Sequence, residues 1–485
     1  AARRATVLEA TSPADSTDMT HKPTPEQDAI LTAVASSSAN LMLVARAGCG
    51  KTSTLKLIDS TLRSAALLVC FNKSIAEDAR KEVRGTTTVK TFNSLGHSIW
   101  AEYHGRKLTL NKNKLRDIYK AFADDAPRSE RTFLWSLYDS VTSAINMARA
   151  IGYIPASHAL ARKAIATWSD VERRLDETPL PEVQGIADKL LNLSIAQAYS
   201  GVIDFNDQVY MPALFAGHYP SFPMVMIDEY QDLSPVNHAM VSKLCRNSRQ
   251  IGVGDPAQAI YEFRGADSNA MARATDQFSM DTFPLSLSFR CPSAITSNVH
   301  WLVPDIRSVR DGGSIHHGGS LELRPDTAVI CRYNAPLVRL ALETLVSGTR
   351  VDVAGVDIGS RIIRLLEKLG PTSLTRSQAL DAIANWEAER ESLDSKTAPD
   401  LADCMRVFVS KTQTLDGAIS YAQHLFSSTE GEIRFLSGHR SKGLEFDHVY
   451  HLDHEAIKTS GQDPNIHYVI DTRPKETLTY IKSHH

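Results

Sequence analysis

A glycine-rich loop near the start of the chain has the residue types that bind phosphate. It reads ARAGCGKT over residues 45–52, after the apolar run 41–45 and before the helix-like stretch 53–60, although Ala45 replaces the usual first glycine. Glycines let backbone N–H groups turn toward a phosphate, Lys51 would neutralise phosphate oxygens, and the Thr52 hydroxyl suits Mg²⁺. A chance glycine turn is the alternative, but the order of strand, loop and helix favours nucleotide binding. The residues that we expect to surround the phosphates of ATP are Ala47, Gly48, Cys49, Gly50, Lys51, Thr52 and Ser53.

A second apolar run, residues 224–227, ends in two adjacent carboxylates that complement this loop. Asp228 would hold Mg²⁺, and Glu229 would orient or deprotonate the water that attacks the γ-phosphate. Alone, such a pair after a strand is more often a solvated turn. Together with a phosphate loop it indicates phosphoryl transfer, with Lys51 and Glu229 as catalytic residues.

Side chains with these roles must be positioned by rigid elements, and short β-rich apolar runs alternate with helical patterns along the chain. The runs are residues 41–45, 66–71, 224–228, 250–254, 328–332, 351–354 and 449–452. Such runs are typical of buried parallel strands, and parallel sheets bind ligands at the carboxyl ends of their strands. The sequence therefore predicts an α/β fold with parallel sheets, interrupted by two helical stretches.

The composition limits the class of protein. At 485 residues the chain exceeds what one hydrophobic core usually fills, so we expect at least two domains. No apolar run approaches the ~20 residues of a membrane span, which argues against a membrane role. The net charge of −3 indicates that any nucleic-acid site is local. The six cysteines include no CxxC pair, so we expect reduced thiols in an intracellular protein of the cytoplasm, nucleoid or nucleus.

Two sequence segments, one rich in acidic residues and one that contains two aromatic residues, resemble motifs of a known family. The string GDPAQAIYEFRGA, residues 254–266, resembles the GDxxQxIYxFRGA segment of UvrD-like helicases, and DEYQD, residues 228–232, resembles their DExQD box. The chain thus resembles the UvrD and Rep group of superfamily 1, with details similar to F-box DNA helicase and phage-type members. The resemblance implies two RecA-like motor domains, hydrolysis of ATP with Mg²⁺, and a catalytic glutamine, Gln258, that senses the γ-phosphate.

The resemblance and the helical patterns together predict the domain boundaries. The expected divisions are a flexible tail (1–23), a first motor domain (24–100 and 201–280) with a helical insertion (101–200), and a second motor domain (281–360 and 429–485) with a helical insertion (361–428). The second insertion is small for this group, and its small size argues against strong unwinding of duplex DNA by the chain alone.

Two further segments resemble parts of the family's nucleotide site. In TPEQ, residues 24–27, the resemblance implies that Gln27 reads the adenine base. The alternative is a Thr-x-x-Gln capping box that starts a helix, and both interpretations are compatible. In LSFR, residues 287–290, Phe289 would stack on adenine and Arg290 would reach the γ-phosphate.

The last two segments are HRSKGLEF, residues 439–446, and YVIDTR, residues 468–473. The resemblance places Glu445 at the nucleotide and makes Arg473 an arginine finger, since arginine supplies bidentate positive charge to γ-phosphate oxygens. For an isolated arginine, a surface salt bridge is the usual alternative. Pro474 departs from the family pattern, and because proline restricts a helix start to its first turn, it bears on the geometry of the finger.

The resemblance also implies a track for single-stranded DNA. Proteins hold such strands without sequence preference by stacking bases on aromatic rings and by contacting phosphates with polar groups. The implied stacking residues are Phe71, Phe92, Tyr261 and Phe263. The implied backbone contacts are Asn72, Thr91, Arg264, His439 and Ser441. For each ring, packing in the core is the alternative.

These expectations imply an ATP-dependent DNA helicase that moves 3′ to 5′ on single-stranded DNA and acts at junctions with duplex DNA. Two alternatives stay open. One is a clamp that ATP closes on DNA without processive stepping, and the other is an accessory subunit whose unwinding depends on a nuclease or repair partner. We expect a monomer, and a partner protein from repair, recombination or replication is compatible with the family.

Overall fold

The computed structural model describes residues 22–319, 321–322, 324, 326–354, 356–427, 431 and 433–483, with only the backbone path for 354 and 356–358. The predicted tail, residues 1–23, lies almost entirely outside these described residues. The strands are β1 (Leu41–Ala45), β2 (Ala66–Cys70), β3 (Thr87–Thr91), β4 (Thr109–Leu110), β5 (Val202–Ile203), β6 (Met224–Ile227), β7 (Arg249–Gly254), β8 (Asp281–Leu285), β9 (Leu287–Ser288), β10 (Arg307–Ser308), β11 (Ser314–His317), β12 (Thr327–Cys331), β13 (Val351–Ala354), β14 (Ile433–Ser437), β15 (Phe446–Leu452) and β16 (Pro474–Ile481).

Helices cover these strands and form the insertions. They are α1 (Pro25–Ser36), α2 (Lys51–Thr61), α3 (Lys73–Glu82), α4 (Phe92–His104), α5 (Lys114–Asp125), α6 (Arg128–Ser136), α7 (Tyr138–Ile151), α8 (Trp168–Glu172), α9 (Pro181–Tyr199), α10 (Asp207–Leu214), α11 (Pro235–Leu244), α12 (Ala270–Phe278), α13 (Ser293–Asn298), α14 (Asn334–Val346), α15 (Val356–Lys368), α16 (Arg376–Glu391), α17 (Ala398–Ser410), α18 (Leu415–Ser427), α19 (Gly438–Ser441) and α20 (Asp463–Asp471). Short 3₁₀ helices lie at Ala161–Lys163, Tyr230–Asp232, Pro256–Gln258, Glu262–Arg264 and His454–Ala456.

The first sheet is parallel, with the strand order β3-β2-β6-β7-β1-β8. Strands β2 and β6 are buried at every residue, as expected for continuous apolar runs covered by helices on both faces. Strand β8 pairs with β1 from Leu41↔Asp281 to Ala45↔Leu285, so the boundary predicted between residues 280 and 281 is wrong. Its sequence, DTFPL, lacks an apolar run because β8 is a largely exposed edge strand, where proline is tolerated.

The second sheet is also parallel, with the strand order β11-β16-β15-β12-β14-β13. The apolar runs predicted at 328–332, 351–354 and 449–452 correspond to β12, β13 and β15. The predicted fold class is therefore confirmed: the protein is α/β, with two RecA-like parallel sheets and helical insertions.

The two insertions are formed by α5 to α9 and by α15 to α18. They contact each other directly, since Arg390 forms an ion pair with Glu177 at 3.0 Å and the Thr178 N–H donates to the Leu393 carbonyl at 2.8 Å. All six cysteines are free thiols. Within the described ranges, no helix combines the length and the apolar character that crossing a bilayer requires.

Candidate functional site

The phosphate loop connects the carboxyl end of β1 to the amino end of α2. Gly48 and Gly50 both have a φ of 72°, a left-handed conformation that glycine adopts without strain. Gly50 is the N-cap of α2, and no side chain of the described residues caps this end. The first N–H groups of α2 have no partner within the helix, so they are suited to an anion such as phosphate.

Lys51, in the first turn of α2, reaches the end of β6. Its Nζ lies 2.7 Å from Glu229 Oε2, and both side chains are less than a fifth exposed. Burial alone would lower the pKa of Lys51, but the charges of Glu229 and Asp228 raise it above its usual value. Lys51 is therefore a fixed cation beside two carboxylates.

The two carboxylates differ in environment. Asp228 is 3% exposed, and burial and then the charge of Glu229 raise its pKa. For Glu229, burial is outweighed by the charges of Lys51 and Lys442, which lower its pKa. Glu229 also has a φ of 51°, a strained conformation for a residue with a side chain. Because Asp228 is the carboxylate with less cationic compensation, it fits a divalent cation, and with the hydroxyl of Thr52 it could hold Mg²⁺.

A chain of hydrogen bonds leads from Glu229 to the second motor domain. Gln231 Nε2 donates to Glu229 Oε2 at 2.6 Å and to Asp232 Oδ2 at 3.3 Å. Lys442 Nζ donates to the two Asp232 oxygens at 2.8 and 2.7 Å and to the Gln258 carbonyl at 2.6 Å. Since Lys442 belongs to the second domain, this chain of hydrogen bonds connects Glu229, beside the phosphate loop, to that domain.

Tyr468, on α20, forms a second connection between the two domains. The Ala47 N–H donates to the Tyr468 hydroxyl at 3.0 Å, and that hydroxyl donates to Asp255 Oδ2 at 3.2 Å. The same Asp255 oxygen accepts a bond from Gln258 Nε2 at 2.8 Å. Gln258 is thus fixed beside the phosphate loop, whereas the Ala47 N–H, predicted to face phosphate, is directed to Tyr468 because the loop packs against α20.

The segment before α13 lies directly against the phosphate loop. The Phe289 N–H donates to the Gly48 carbonyl at 2.9 Å. A Cβ on Gly48 would lie 2.6 Å from Arg290 Cβ, so this close approach requires glycine. A Cβ on Gly50 would lie 3.9 Å from both Gln27 Nε2 and Phe289 Cδ2, and the Phe289 side chain is 41% exposed. The fold therefore brings Gln27 and an exposed ring together at the start of α2.

Gln27 also starts α1, because it completes a capping box with Thr24. The Thr24 N–H donates to Gln27 Oε1 at 2.9 Å, and Gln27 Nε2 donates to Thr54 Oγ1 at 3.0 Å. The capping interpretation is confirmed. An amide has two N–H groups and two lone pairs, so the second N–H and the second lone pair of Gln27 are the groups that could contact a base.

The second domain supplies two arginines. Arg290 Nε donates to Glu445 Oε2 at 2.7 Å, which holds the guanidinium in place. Arg473 is 1% exposed and donates to the carbonyl oxygens of Val469 and Leu444 at 2.7 and 3.0 Å. Across the described residues it has no carboxylate partner. Burial and then the charge of Arg290 lower the pKa of Arg473 to about 10. A buried cation without a carboxylate is suited to an anionic ligand.

Pro474 lies at the start of a strand and not at the start of a helix. Helix α20 ends before Arg473, and Pro474 is the first residue of β16. Proline is tolerated at the first residue of a strand, where its missing N–H is least costly. The Phe446 N–H donates to the Arg473 carbonyl at 3.1 Å, which joins β15 to β16 at Arg473.

Four rings, which we call the aromatic row (Phe71, Tyr261, Phe263 and His439), extend from the first domain to the second. Tyr261 stacks on Phe71 with centroids 5.9 Å and planes 6° apart, and Phe263 lies 6.2 Å from Tyr261 and 5.0 Å from His439. Phe71 is 36% and Phe263 53% exposed. The Arg264 guanidinium lies 5.2 and 5.4 Å from the Tyr261 and Phe263 centroids. Exposed rings beside a cation can stack bases and attract phosphate.

Two residues predicted to contact DNA are buried. Phe92 is 5% exposed and belongs to the same core cluster as Leu95 and Ile99. Ser441 is fully buried, and its hydroxyl donates to the Gly438 carbonyl at 2.8 Å. Each side chain points into its own domain and offers no group to a strand in the cleft, which favours core packing over the predicted DNA contact.

Three other predicted DNA contacts keep accessible surface. Asn72 is exposed and caps α3, and Thr91 is half-buried and caps α4; each side-chain oxygen accepts a backbone N–H three residues ahead. His439 is half-buried, and burial and then the charge of Arg332 lower its pKa to about 4. His439 is therefore neutral near pH 7 and presents a ring to the cleft without a positive charge.

Lys442 and Tyr468 are functional candidates that reasoning from the sequence missed. Each lies within a recognised motif, which was the available signal, but only the fold shows that each bonds to the first domain. Lys442 Nζ also lies 4.8 Å from the ring centroid of Tyr261. Lys442 thus contacts both the polar chain and the aromatic row.

The two parallel sheets, the phosphate loop of one and the arginines of the other define a two-domain P-loop protein whose site lies between the domains. A model of the UvrD/REP helicase N-terminal domain matches residues 25–279. The chain belongs to the UvrD/REP helicase family, and the resemblance inferred from the motifs is confirmed.

Curated relatives share parts of the chain. F-box DNA helicase 1 of Gallus gallus is 28% identical over 255 residues, which are 50% of this chain and 24% of the relative. DNA helicase II of Haemophilus influenzae is 21% identical over 291 residues, 56% of this chain and 39% of the relative. RecBCD enzyme subunit RecB of the same organism is 36% identical over 86 residues, 17% of this chain and 7% of the relative. The chain thus spans less than half the length of each.

Proposed function

We propose that this chain is an ATP-dependent translocase on single-stranded DNA and a DNA helicase. The observation that supports this most strongly is the position of Lys442, whose Nζ donates to Asp232 and to the Gln258 carbonyl and lies 4.8 Å from the Tyr261 centroid. One side chain of the second domain therefore contacts both the polar chain of the nucleotide site and the aromatic row. A change at the γ-phosphate can reach the DNA-facing rings through this contact.

The proposed hydrolysis uses groups from both domains. Glu229 orients the attacking water and accepts its proton, while Lys51, Arg290 and Arg473 stabilise the negative charge of the transferring phosphoryl group. Mg²⁺ bound by Thr52 and Asp228 would offset charge on the phosphates. Because the base and the arginines belong to different domains, the reaction requires a closed cleft.

Closure and reopening of the cleft would move the aromatic row in two parts, since Phe71 belongs to the first domain and His439 to the second. Gln258 is suited to sense the γ-phosphate because two bonds fix its position. Its side-chain amide donates to Asp255 beside the phosphate loop, and its backbone carbonyl accepts a hydrogen bond from Lys442. If the two domains bind the DNA strand in turn, on either side of Phe263, each cycle of closure and reopening would advance the strand. We propose that the movement is 3′ to 5′.

The proposed substrate is single-stranded DNA and its junctions with duplex DNA. The aromatic row has exposed faces for bases, with Arg264 and the starts of α3 and α4 for phosphates. We propose an intracellular monomer that hydrolyses Mg-ATP, with a partner from repair, recombination or replication. An ATP-gated clamp and an accessory subunit are the competing proposals, since the helical insertion formed by α15 to α18 is small.

Strand displacement tests this proposal. The chain is given ATP, Mg²⁺ and a labelled duplex that carries either a 3′ or a 5′ single-stranded tail. Displacement from the 3′-tailed duplex and not from the 5′-tailed duplex is expected. DNA-stimulated hydrolysis without displacement would favour the clamp, and displacement only after a nuclease or repair protein is added would favour the accessory subunit. Displacement from the 5′-tailed duplex alone would contradict the proposed direction.

A further inference from the structure

A cluster of histidines lies in the second motor domain, outside the nucleotide site. The histidine cluster consists of His451 on β15, His454 in the following 3₁₀ helix, and His467 and Asp471 one turn apart on α20. One potential ligand atom from each of His451, His467 and Asp471 lies within 4.8 Å of the others. The side chains of His451 and Asp471 are fully buried, and that of His467 is 22% exposed.

Asp471 is the centre of this cluster. Its Oδ1 lies 2.8 Å from His451 Nδ1, and its Oδ2 lies 3.2 Å from His467 Nε2. Tyr480 donates its hydroxyl to Asp471 Oδ2 at 2.7 Å, and Asn298 Nδ2 donates to the same oxygen at 3.3 Å. Outer partners of this kind orient the ligating carboxylate in metal sites.

Two imidazole nitrogens of the cluster are left without partners. His451 Nε2 and His454 Nδ1 are buried, and neither has a hydrogen-bond partner in the part of the chain that the structure describes. Buried polar atoms are rarely left in this state, and each such atom requires an explanation. The ring of His454 lies 5.9 Å from that of His451 and 6.1 Å from that of His467, so it lies beside the other two imidazoles.

We propose that His451, His467 and Asp471 bind a zinc-like transition-metal ion, with His454 as the fourth ligand. Imidazole and carboxylate together suit Zn²⁺, whereas Mg²⁺ and Ca²⁺ prefer oxygen ligands alone. Bonds of about 2.0–2.1 Å place tetrahedral ligands roughly 3.3 Å apart. The pairs at 2.8 and 3.2 Å end on the two different oxygens of Asp471, and one ligand atom from each of the three residues lies within 4.8 Å of the others, so the ligands would draw together around the ion.

The proposed ion would stabilise the second domain's side of the cleft. It would join β15, the 3₁₀ helix and α20, and α20 carries Tyr468 against the phosphate loop and leads directly to Arg473. The ion is distinct from the Mg²⁺ of the nucleotide site, because its ligands all lie in the second domain and include no residue of the phosphate loop.

Metal titration of the whole chain tests this proposal without reference to its activity. The chain is stripped with a chelator, freed of any affinity tag, and titrated with Zn²⁺ and with Co²⁺, whose visible bands report tetrahedral coordination. We expect one ion per chain, tetrahedral Co²⁺ bands, and an unfolding midpoint that rises with Zn²⁺ but not with Mg²⁺. His467→Gln replaces a partly exposed ligand, so it should fold, and it should weaken Zn²⁺ binding by about tenfold or more.

His448→Gln is the matched control, because His448 lies on β15 but bonds to Thr477 Oγ1 at 2.8 Å, away from the cluster. It should bind Zn²⁺ as the unmodified chain does. Asp471→Asn, which keeps the shape of the side chain, provides a second ligand variant, and circular dichroism checks each fold. If the unmodified chain binds no stoichiometric Zn²⁺, or if folded His467→Gln and Asp471→Asn bind it equally well, the cluster is a hydrogen-bonded polar core and the proposal is overturned.

Discussion

The nucleotide site and the aromatic row share one cleft but hold their side chains in different ways. Lys51, Glu229 and Arg473 are largely buried and held by short bonds. Lys51 and Gln231 donate to Glu229, and Arg473 donates to two carbonyl oxygens. Phe71 and Phe263 are exposed and contact mainly other rings. Phosphoryl transfer requires charges at defined positions, whereas stacking requires only an accessible flat surface. Substitutions should therefore cost orders of magnitude in the first region and far less in the second.

The largest effect is expected from Lys51→Ala, since it removes the cation that the phosphate loop places beside the two carboxylates. We expect the rate of ATP hydrolysis to fall by about 10³-fold or more, the scale on which lost charge affects phosphoryl transfer. Lys56→Ala is the control on the same helix, because Lys56 pairs with Glu82 at the surface. If a steady-state assay found similar rates of ATP hydrolysis for both variants, the nucleotide site would not be more sensitive to substitution than the aromatic row, and the comparison would fail.

Glu229→Gln should separate binding from turnover. The amide keeps the size of the side chain but cannot accept the proton of the attacking water, so turnover should fall by about 10²- to 10⁴-fold. ATP affinity, measured by equilibrium binding, should be retained because Lys51 and the loop remain. Normal turnover in this variant would refute the role given to Glu229.

Lys442→Met tests the link between the two regions. The change removes the bonds to Asp232 and the contact with Tyr261. We expect stimulation of hydrolysis by DNA to decrease by about 5- to 150-fold, the range of typical coupling free energies. Breaking a buried ion pair also destabilises a fold, so thermal unfolding must show that the variant is native at the assay temperature. Full stimulation in a folded variant would assign the coupling to other residues.

Phe263→Ala should weaken binding of single-stranded DNA by about tenfold, because stacking contributes ~1–3 kcal/mol per base. Phe263→Trp is the matched variant and should bind at least as tightly, since it keeps an aromatic face. Fluorescence anisotropy with a labelled oligonucleotide at fixed salt measures both. Equal affinities for the alanine and tryptophan variants would exclude stacking at this position.

The smallest effect is expected from Ser441→Ala. Its hydroxyl is buried and donates to the Gly438 carbonyl, so its loss should cost about 0.5–1.5 kcal/mol of stability and leave DNA affinity within about twofold. The same anisotropy assay, paired with thermal unfolding, measures both quantities. A large loss of DNA affinity would restore Ser441 to the DNA track.

Patterns within short stretches of sequence predicted those elements that depend mainly on neighbouring residues. The continuous apolar runs of β2 and β6 revealed buried parallel strands, and the Thr24-x-x-Gln27 spacing revealed the cap of α1. Strand β8 was missed because an exposed edge strand needs no apolar run. Burial alone does not decide the sequence signal, since β14 is buried at four of its five residues and was missed as well.

Contacts between distant segments could not be predicted in the same way. Phe92 and Phe263 are both aromatic residues in motif segments, but only the fold shows that one is 5% and the other 53% exposed. The bonds from Lys442 to Asp232 and from Ala47 to Tyr468 join residues 210 and 421 positions apart. Motif letters mark such residues as candidates, and their partners depend on how the two domains pack.

Coupling between nucleotide turnover and DNA binding is tested most directly by steady-state ATP hydrolysis with and without single-stranded DNA. Salt must be matched, since binding to DNA phosphates weakens steeply as salt rises. We predict that saturating DNA raises the rate of hydrolysis by the unmodified chain. A rate that stays the same while anisotropy shows the DNA to be bound would contradict the coupling.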